Sequence, residues 1–249
     1  MRFPLLIFLL SLLGLWLSVK LGAFLRTKLR PLDKDEREDF AVVQGATLTL
    51  LGLIIGFSFS MAIARYDQRK NYEEEEANAI GTEFLRADLL PGNDAARVHD
   101  LLRKYLDQRI AFYEIRDTSQ LAQINRDTAQ LQSELWSVVR ADVAGQPTPA
   151  LALVASGMND VLNSQGYTQA AWWNRIPLAA WILMGVIAIF SSLLIGNNSH
   201  KTRGPLFFIL PLVVSVAFFL ISDLDSPRGG LIHVRPQNLR SLSESLTIN

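Results

Sequence analysis

Ionised side chains are almost absent from four stretches of this chain, residues 3–25, 40–64, 177–196 and 205–222, where Lys20 is the lone exception. A helix needs roughly 20 apolar residues to cross a bilayer core about 30 Å thick, and each stretch meets that need, the last only just. Lipid leaves backbone polar groups no outside partner, so such segments must satisfy their own hydrogen bonds as helices. The charges crowd instead into residues 65–176, a block of domain size. The expected fold is therefore an all-α membrane protein. Transmembrane helices 1 and 2 lie in residues 1–64, a helical soluble insertion in 65–176, transmembrane helices 3 and 4 in 177–222 and a C-terminal tail in 223–249.

Met1 and Arg2 open the first run like a signal peptide, but its apolar stretch is too long and no small-x-small cleavage site precedes Lys20, so it reads as a retained span. Pro177 and Pro205 stand at helix starts, where a missing N–H costs nothing, and Pro211 predicts a kink inside the fourth span. Four spans place both termini and residues 65–176 on one side of the membrane. The flanking cations do not choose that side. Arg2, Arg65, Arg69, Lys70, Arg175, Arg228 and Arg235 balance Arg26, Lys28, Arg30, Lys34, Arg37, Lys201 and Arg203, with Lys20 tipping slightly toward cytoplasmic loops.

Composition removes several kinds of chemistry. With no cysteine there is no disulfide framework, thiolate metal site or cysteine nucleophile. His99, His200 and His233 are far apart in sequence and have no second ligand at metal spacing, so they are read as polar or surface contacts and no metal or cofactor is expected. Twenty-four basic residues against 24 acidic ones, with no basic cluster, argue against a nucleic-acid partner. Neither a phosphate loop nor a nucleophile with a base accompanies the acidic residues, so an enzyme is not expected.

The soluble block reads as helix throughout. No proline or glycine interrupts Phe57 to Ile80, so the second span should continue into the block until Pro91-Gly92, helped by Arg69 with Glu73 and Lys70 with Glu74. Asn93 or Asp94 is placed to cap a helix striped with Val98, Leu101, Leu102, Tyr105 and Ile110. Leu121, Ile124, Thr128, Leu131, Leu135 and Val138 form a coiled-coil-like seam with one polar position. Leu151, Val154, Met158 and Val161 or Leu162 continue the pattern after Gly145-Gln-Pro-Thr-Pro149. Tyr66, Trp172 and Trp173 flank membrane segments and are expected in an interfacial aromatic belt, with packing in the soluble core as the alternative.

The second span carries the candidate site. It includes Gln44, Thr47, Thr49, Ser58 and Ser60, and it sets Gly52, Gly56, Ser60 and Ala64 at i, i+4 intervals, a small-residue stripe that admits another helix closely. That stripe fits ordinary packing inside one four-helix bundle, or a helix at the centre of an assembly with another face toward a cavity. Glu73 to Glu76 are consecutive and point in four directions, so they form a solvated face, or in an oligomer one or two, such as Glu73 and Glu76, repeat as an acidic ring at a mouth. Asp223 and Asp225 end the fourth span, hydrated at the boundary or anchoring the tail against Arg65 or Arg69.

The stretch Ile55-Gly-Phe-Ser-Phe-Ser-Met-Ala-Ile-Ala-Arg65-Tyr66 resembles a Leu-Gly-Phe to Arg-Trp segment of the bestrophin chloride channels. Glu75-Glu-Ala-Asn-Ala-Ile-Gly-Thr82 and Asp223-Leu-Asp-Ser-Pro227 resemble the bestrophin-like family of bacterial membrane proteins more closely, and the layout of spans is similar over nearly the whole chain. Bestrophins are pentameric anion channels whose second membrane helix forms an apolar neck. The resemblance implies a homo-oligomer, a pentamer, in the bacterial inner membrane, passing inorganic ions, with termini and soluble domain cytoplasmic. Aligning Gly56 and Arg65 puts Thr49, Leu53 and Phe57 at the neck; independently, these three share one helix face. Asp225-Ser-Pro227 is followed by Arg228-Gly-Gly230 instead of a dense acidic run, so calcium activation is not carried over. The expected activity is ion conduction through an axial pore lined by the second span. The alternative is a non-conducting, membrane-anchored helical scaffold or sensor that docks a partner through the Leu121 to Val138 seam.

Overall fold

The computed structural model describes residues 3–28, 34–198 and 206–248. His200 and Pro205, with the cations Arg2, Arg30, Lys201 and Arg203, lie outside the described residues. The described residues are helical with no strand: α1 (Pro4–Lys28), α2 (Lys34–Arg86), a short 3-10 turn (Ala87–Leu89), α3 (Asp94–Glu114), α4 (Thr118–Gly145), α5 (Pro149–Trp173), α6 (Leu178–Asn198), α7 (Leu206–Asp225) and α8 (Gln237–Ile248). Helix α1, the apolar part of α2, α6 and α7 are each long and apolar enough to cross a membrane. Helix α7 runs through Pro211 without ending.

The chain divides into two compact units. A membrane unit holds residues 1–66 and 175–233, and a helical unit holds 67–174 and 234–249, so the tail is shared between them.

In the membrane unit α1 packs against α6 and α7, and Leu15, Leu51, Ala62, Met184, Ala188, Val214 and Ile221 form its core. Two glycines bring α1 and α6 into backbone contact. A Cβ on Gly22 would overlap the Leu193 carbonyl oxygen, and one on Gly196 would overlap that of Val19. Small residues at such crossings let helices in lipid gain dispersion contact, where burial of apolar surface offers no drive.

The helical unit is held by ordinary hydrophobic burial. Ile80 of α2, Leu102, Tyr105 and Phe112 of α3, Leu135 and Val139 of α4, Val154, Met158 and Val161 of α5 and Leu239 of α8 are all buried. Gly92, with φ at 60°, turns the chain after the 3-10 segment in a left-handed conformation that suits glycine. Asn93 takes the N-cap position of α3 without a side-chain capping bond, whereas Asp117 accepts the Ser119 N–H at 2.9 Å and Thr148 accepts that of Leu151 at 3.2 Å. In the seam of α4, Thr128, Leu135 and Val138 are buried and Leu121, Ile124 and Leu131 are half-buried.

The aromatic belt needs correction. Trp172 is 4% exposed and packs on Phe112 and Tyr113, with ring centroids 4.9 and 5.5 Å away, so it belongs to the core of the helical unit. Trp173, one residue on and about 100° around the helix, is 74% exposed. Tyr66 packs partly buried against the core of the membrane unit.

Candidate site on the second helix

Helix α2 turns one face to the membrane-unit core. Leu51, Ser58 and Ala62 are buried there, with Ile54, Ile55 and Phe59 partly buried beside them. Thr49 and Leu53 lie two residues either side of Leu51, which at about 100° per residue puts both on the opposite side of the helix. Thr49, Gly52, Leu53, Gly56, Phe57, Ser60 and Ala64 are all exposed, Leu53 at 53% and Phe57 at 63%. The Thr49 hydroxyl donates to the Gly45 carbonyl at 2.9 Å, so its hydrogen-bonding need is met within the helix.

The small-residue stripe does not pack inside this subunit. A Cβ on Gly52 or Gly56 would meet nothing within 4 Å. Packing within one four-helix bundle is thus corrected, and the close helix approach of the bundle falls to Gly22 and Gly196. Sequence periodicity missed that pair because each glycine meets the other's helix only through the tertiary fold.

The two aspartates at the end of the fourth span are not hydrated. Asp223 is 1% and Asp225 3% exposed. Asp225 accepts the Ile176 N–H on both oxygens, at 3.0 and 3.2 Å, and its Oδ1 lies 3.4 Å from Arg65 Nη1. Arg175 donates to the Asp225 carbonyl. One carboxylate therefore joins the end of the α2 span, the entry to α6 and the end of α7. Asp223 accepts the N–H groups of Leu231 and Ile232 at 2.7 and 2.8 Å, which folds the segment after α7 back upon it. Gly230 permits that return, because a Cβ there would lie 2.7 Å from the Asp223 carbonyl oxygen. We expect Asp225→Asn to keep the acceptor for Ile176 and lose the charge facing Arg65, while Asp225→Ala loses both. Thermal melts in detergent should rank wild type above Asn above Ala, with about 1–3 kcal/mol for each unmet buried group.

The glutamate run is also corrected. Glu74 and Glu75 are exposed, but Glu73 and Glu76 are buried and fully engaged, so neither offers a free carboxylate to an acidic ring. Glu73 Oε1 accepts the N–H groups of Asn238 and Leu239 at 2.9 and 3.0 Å, and its Oε2 accepts from Asn238 Nδ2 at 2.6 Å, capping the start of α8. Glu76 pairs with Arg109 through Nε and accepts from the hydroxyls of Tyr113 at 3.2 Å and Thr168 at 3.3 Å. Burial first, and then the Glu76 charge, push the Tyr113 hydroxyl pKa far up, so it stays a donor. His99 stacks on Phe84, bonds its carbonyl at 2.8 Å and lies 3.5 Å from Asp88, while His233 meets the Leu231 carbonyl at 3.2 Å.

Residues 13–239 match the Bestrophin-like domain. None of the curated proteins matches the chain. Among solved structures, one variant of a bacterial bestrophin homologue from Klebsiella pneumoniae superposes with a TM-score of 0.65 at 13% identity, covering 97% of this chain and 96% of that one. A second variant gives 0.64 at 15% identity over 96% and 97%. The homologue's zinc-phased structure gives 0.60 at 14% over 97% and 94%. At these identities the structural likeness speaks for the fold alone. The match in sequence, however, takes in the later part of the first span, the other three spans and the insertion between them, and by it this chain belongs to the Bestrophin-like family.

Proposed function

We propose that the protein is an oligomeric ion channel of the bacterial inner membrane, with copies of α2 around an axis and a pore lined by Thr49, Leu53 and Phe57. The observation that carries this reading is the outward face of α2. A surface turned to acyl chains is best filled by large apolar side chains, yet this one bares the backbone at Gly52 and Gly56 and carries the hydroxyl residues Thr49 and Ser60. A second copy laid against Gly52, Gly56, Ser60 and Ala64 would bring helices into close contact and turn the adjacent Leu53 and Phe57 toward the axis. Rings of those two residues would close the conduit by dewetting. Bestrophins supply the pentamer as the subunit number to test and the cytoplasm as the place of the helical unit. Inorganic ions and lipid are the partners.

In a planar bilayer, purified protein should carry current, and Leu53→Ala with Phe57→Ala should raise conductance several-fold by widening and wetting the constriction. Silence from an oligomer verified as intact would refute conduction, and a monomer in detergent would remove the axis. The half-buried Leu121, Ile124 and Leu131 of α4 favour a second reading, a non-conducting scaffold that docks a partner there. Under it Leu131→Asp abolishes function in cells and the Leu53 and Phe57 substitutions do little.

A further inference from the structure

Glu83 is buried to 0% exposure near the end of α2, and neither carboxylate oxygen has a hydrogen-bond partner among the described residues. Glu76, two turns earlier on the same helix, is equally buried but receives Arg109, Tyr113 and Thr168. Burial without donors is what separates the two carboxyls. The cause lies on α5. A Cβ on Gly157 would overlap Glu83 Oε2 and Arg86 Nη1, so the α5 backbone is seated directly on the carboxyl through a glycine notch.

The charged groups around the carboxyl are few. Arg86 faces it from the end of α2, and Asp160 from α5, one turn beyond Gly157. Asp88 of the 3-10 turn lies 3.5 Å from His99 of α3, and His99 in turn stacks on Phe84 and bonds its carbonyl. Burial disfavours the anion most, Arg86 works against that, and Asp160 adds to it; the Glu83 pKa is pushed up to about 8.

We propose that Glu83 is a proton-binding site at the contact of α2 with α5 in the helical unit, carrying its proton while α5 is seated on it, and that release of the proton unseats α5 around Gly157. A raised carboxyl pKa in the folded state means the contact is strongest below the ordinary carboxyl range, weakens through neutral pH and loses the contribution once pH passes about 8. The helical unit thereby becomes pH-responsive. The site involves none of Thr49, Leu53 and Phe57, so conduction and proton binding stand or fall separately.

Infrared difference spectra of the full-length protein in lipid nanodiscs, between about pH 6 and about pH 9.5, should contain the C=O stretch of a protonated carboxylic acid, titrating near the folded-state pKa and missing in Glu83→Gln. Over the same range, hydrogen exchange corrected for intrinsic rates should show protection at residues 151–161 falling about tenfold in the wild type and holding in Glu83→Gln. Asp160→Asn keeps the carboxyl and removes a like charge from an exposed position, so the midpoint should move down by a few tenths of a pH unit. An identical carboxyl band in wild type and Glu83→Gln, equal loss of protection in both, or a midpoint indifferent to Asp160 would overturn the proposal.

Discussion

Arg109→Ala is expected to unfold the helical unit or leave it on the edge of unfolding. Arg109 and Glu76 are each 0% exposed, and the Tyr113 and Thr168 hydroxyls complete the coordination of the same carboxylate. Burial works against the Arg109 cation most, but Glu76, Tyr105 and Tyr113 together outweigh it and raise the Arg109 pKa, so the guanidinium keeps its charge. Truncating one member leaves the other as an uncompensated buried charge, which costs about 3–5 kcal/mol. A domain has only about 5–15 kcal/mol to lose. Circular dichroism melts of the detergent-solubilised protein provide the measurement. The double variant Arg109→Met, Glu76→Leu should melt well above Arg109→Ala, because apolar residues of similar size replace a buried pair at little cost. A double variant as weak as the single one would show that packing, and not charge, holds this place.

The second large effect is expected at the crossing of α1 and α6. Gly196→Val and Gly22→Val each drive a side chain into a backbone carbonyl, at Val19 and Leu193 respectively, and a carbonyl fixed in a helix cannot rotate away as a side chain would. Each substitution should cost about 3 kcal/mol or more by forcing the helices apart. Because α1 also packs on α7, both contacts of α1 loosen together. Crosslinking between cysteines placed on α1 and α6, a clean probe in a chain without any native cysteine, should fall sharply in both variants. The same substitution at Gly52 meets open space inside the subunit and should leave that crosslink intact.

How legible this was in the sequence depends on the range of each contact. The spans follow from runs without charge, and the stripes Val98–Leu101–Leu102–Tyr105 and Leu151–Val154–Met158–Val161 are buried as their spacing requires, because a helix face is a local property. Four identical glutamates in a row differ only through distant partners. Glu76 is claimed by Arg109 and Glu73 by the N–H groups at 238 and 239, residues that come near only after the chain has folded. Trp172 and Trp173 likewise look equivalent until α5 is oriented against Phe112. Glu83 carried no signal beyond burial on the Glu76 side of α2, and its notch depends on a glycine 74 positions later. At the candidate site the shared face of Thr49, Leu53 and Phe57 was readable from spacing, whereas the emptiness around Gly52 and Gly56 needed three dimensions.

The close approach of α1 and α6 at Gly22 and Gly196 also sets an order on biogenesis. The first helix leaves the ribosome roughly 170 residues ahead of its partner, a wait of about 10–35 s at ordinary elongation rates. Residues 67–174 emerge within that interval, so much of the helical unit has time to collapse while α1 stands in the bilayer without α6 or α7. A nascent chain stalled before Gly196 would hold a nearly complete soluble lobe and an unfinished membrane half, the form in which a quality-control protease would first meet it.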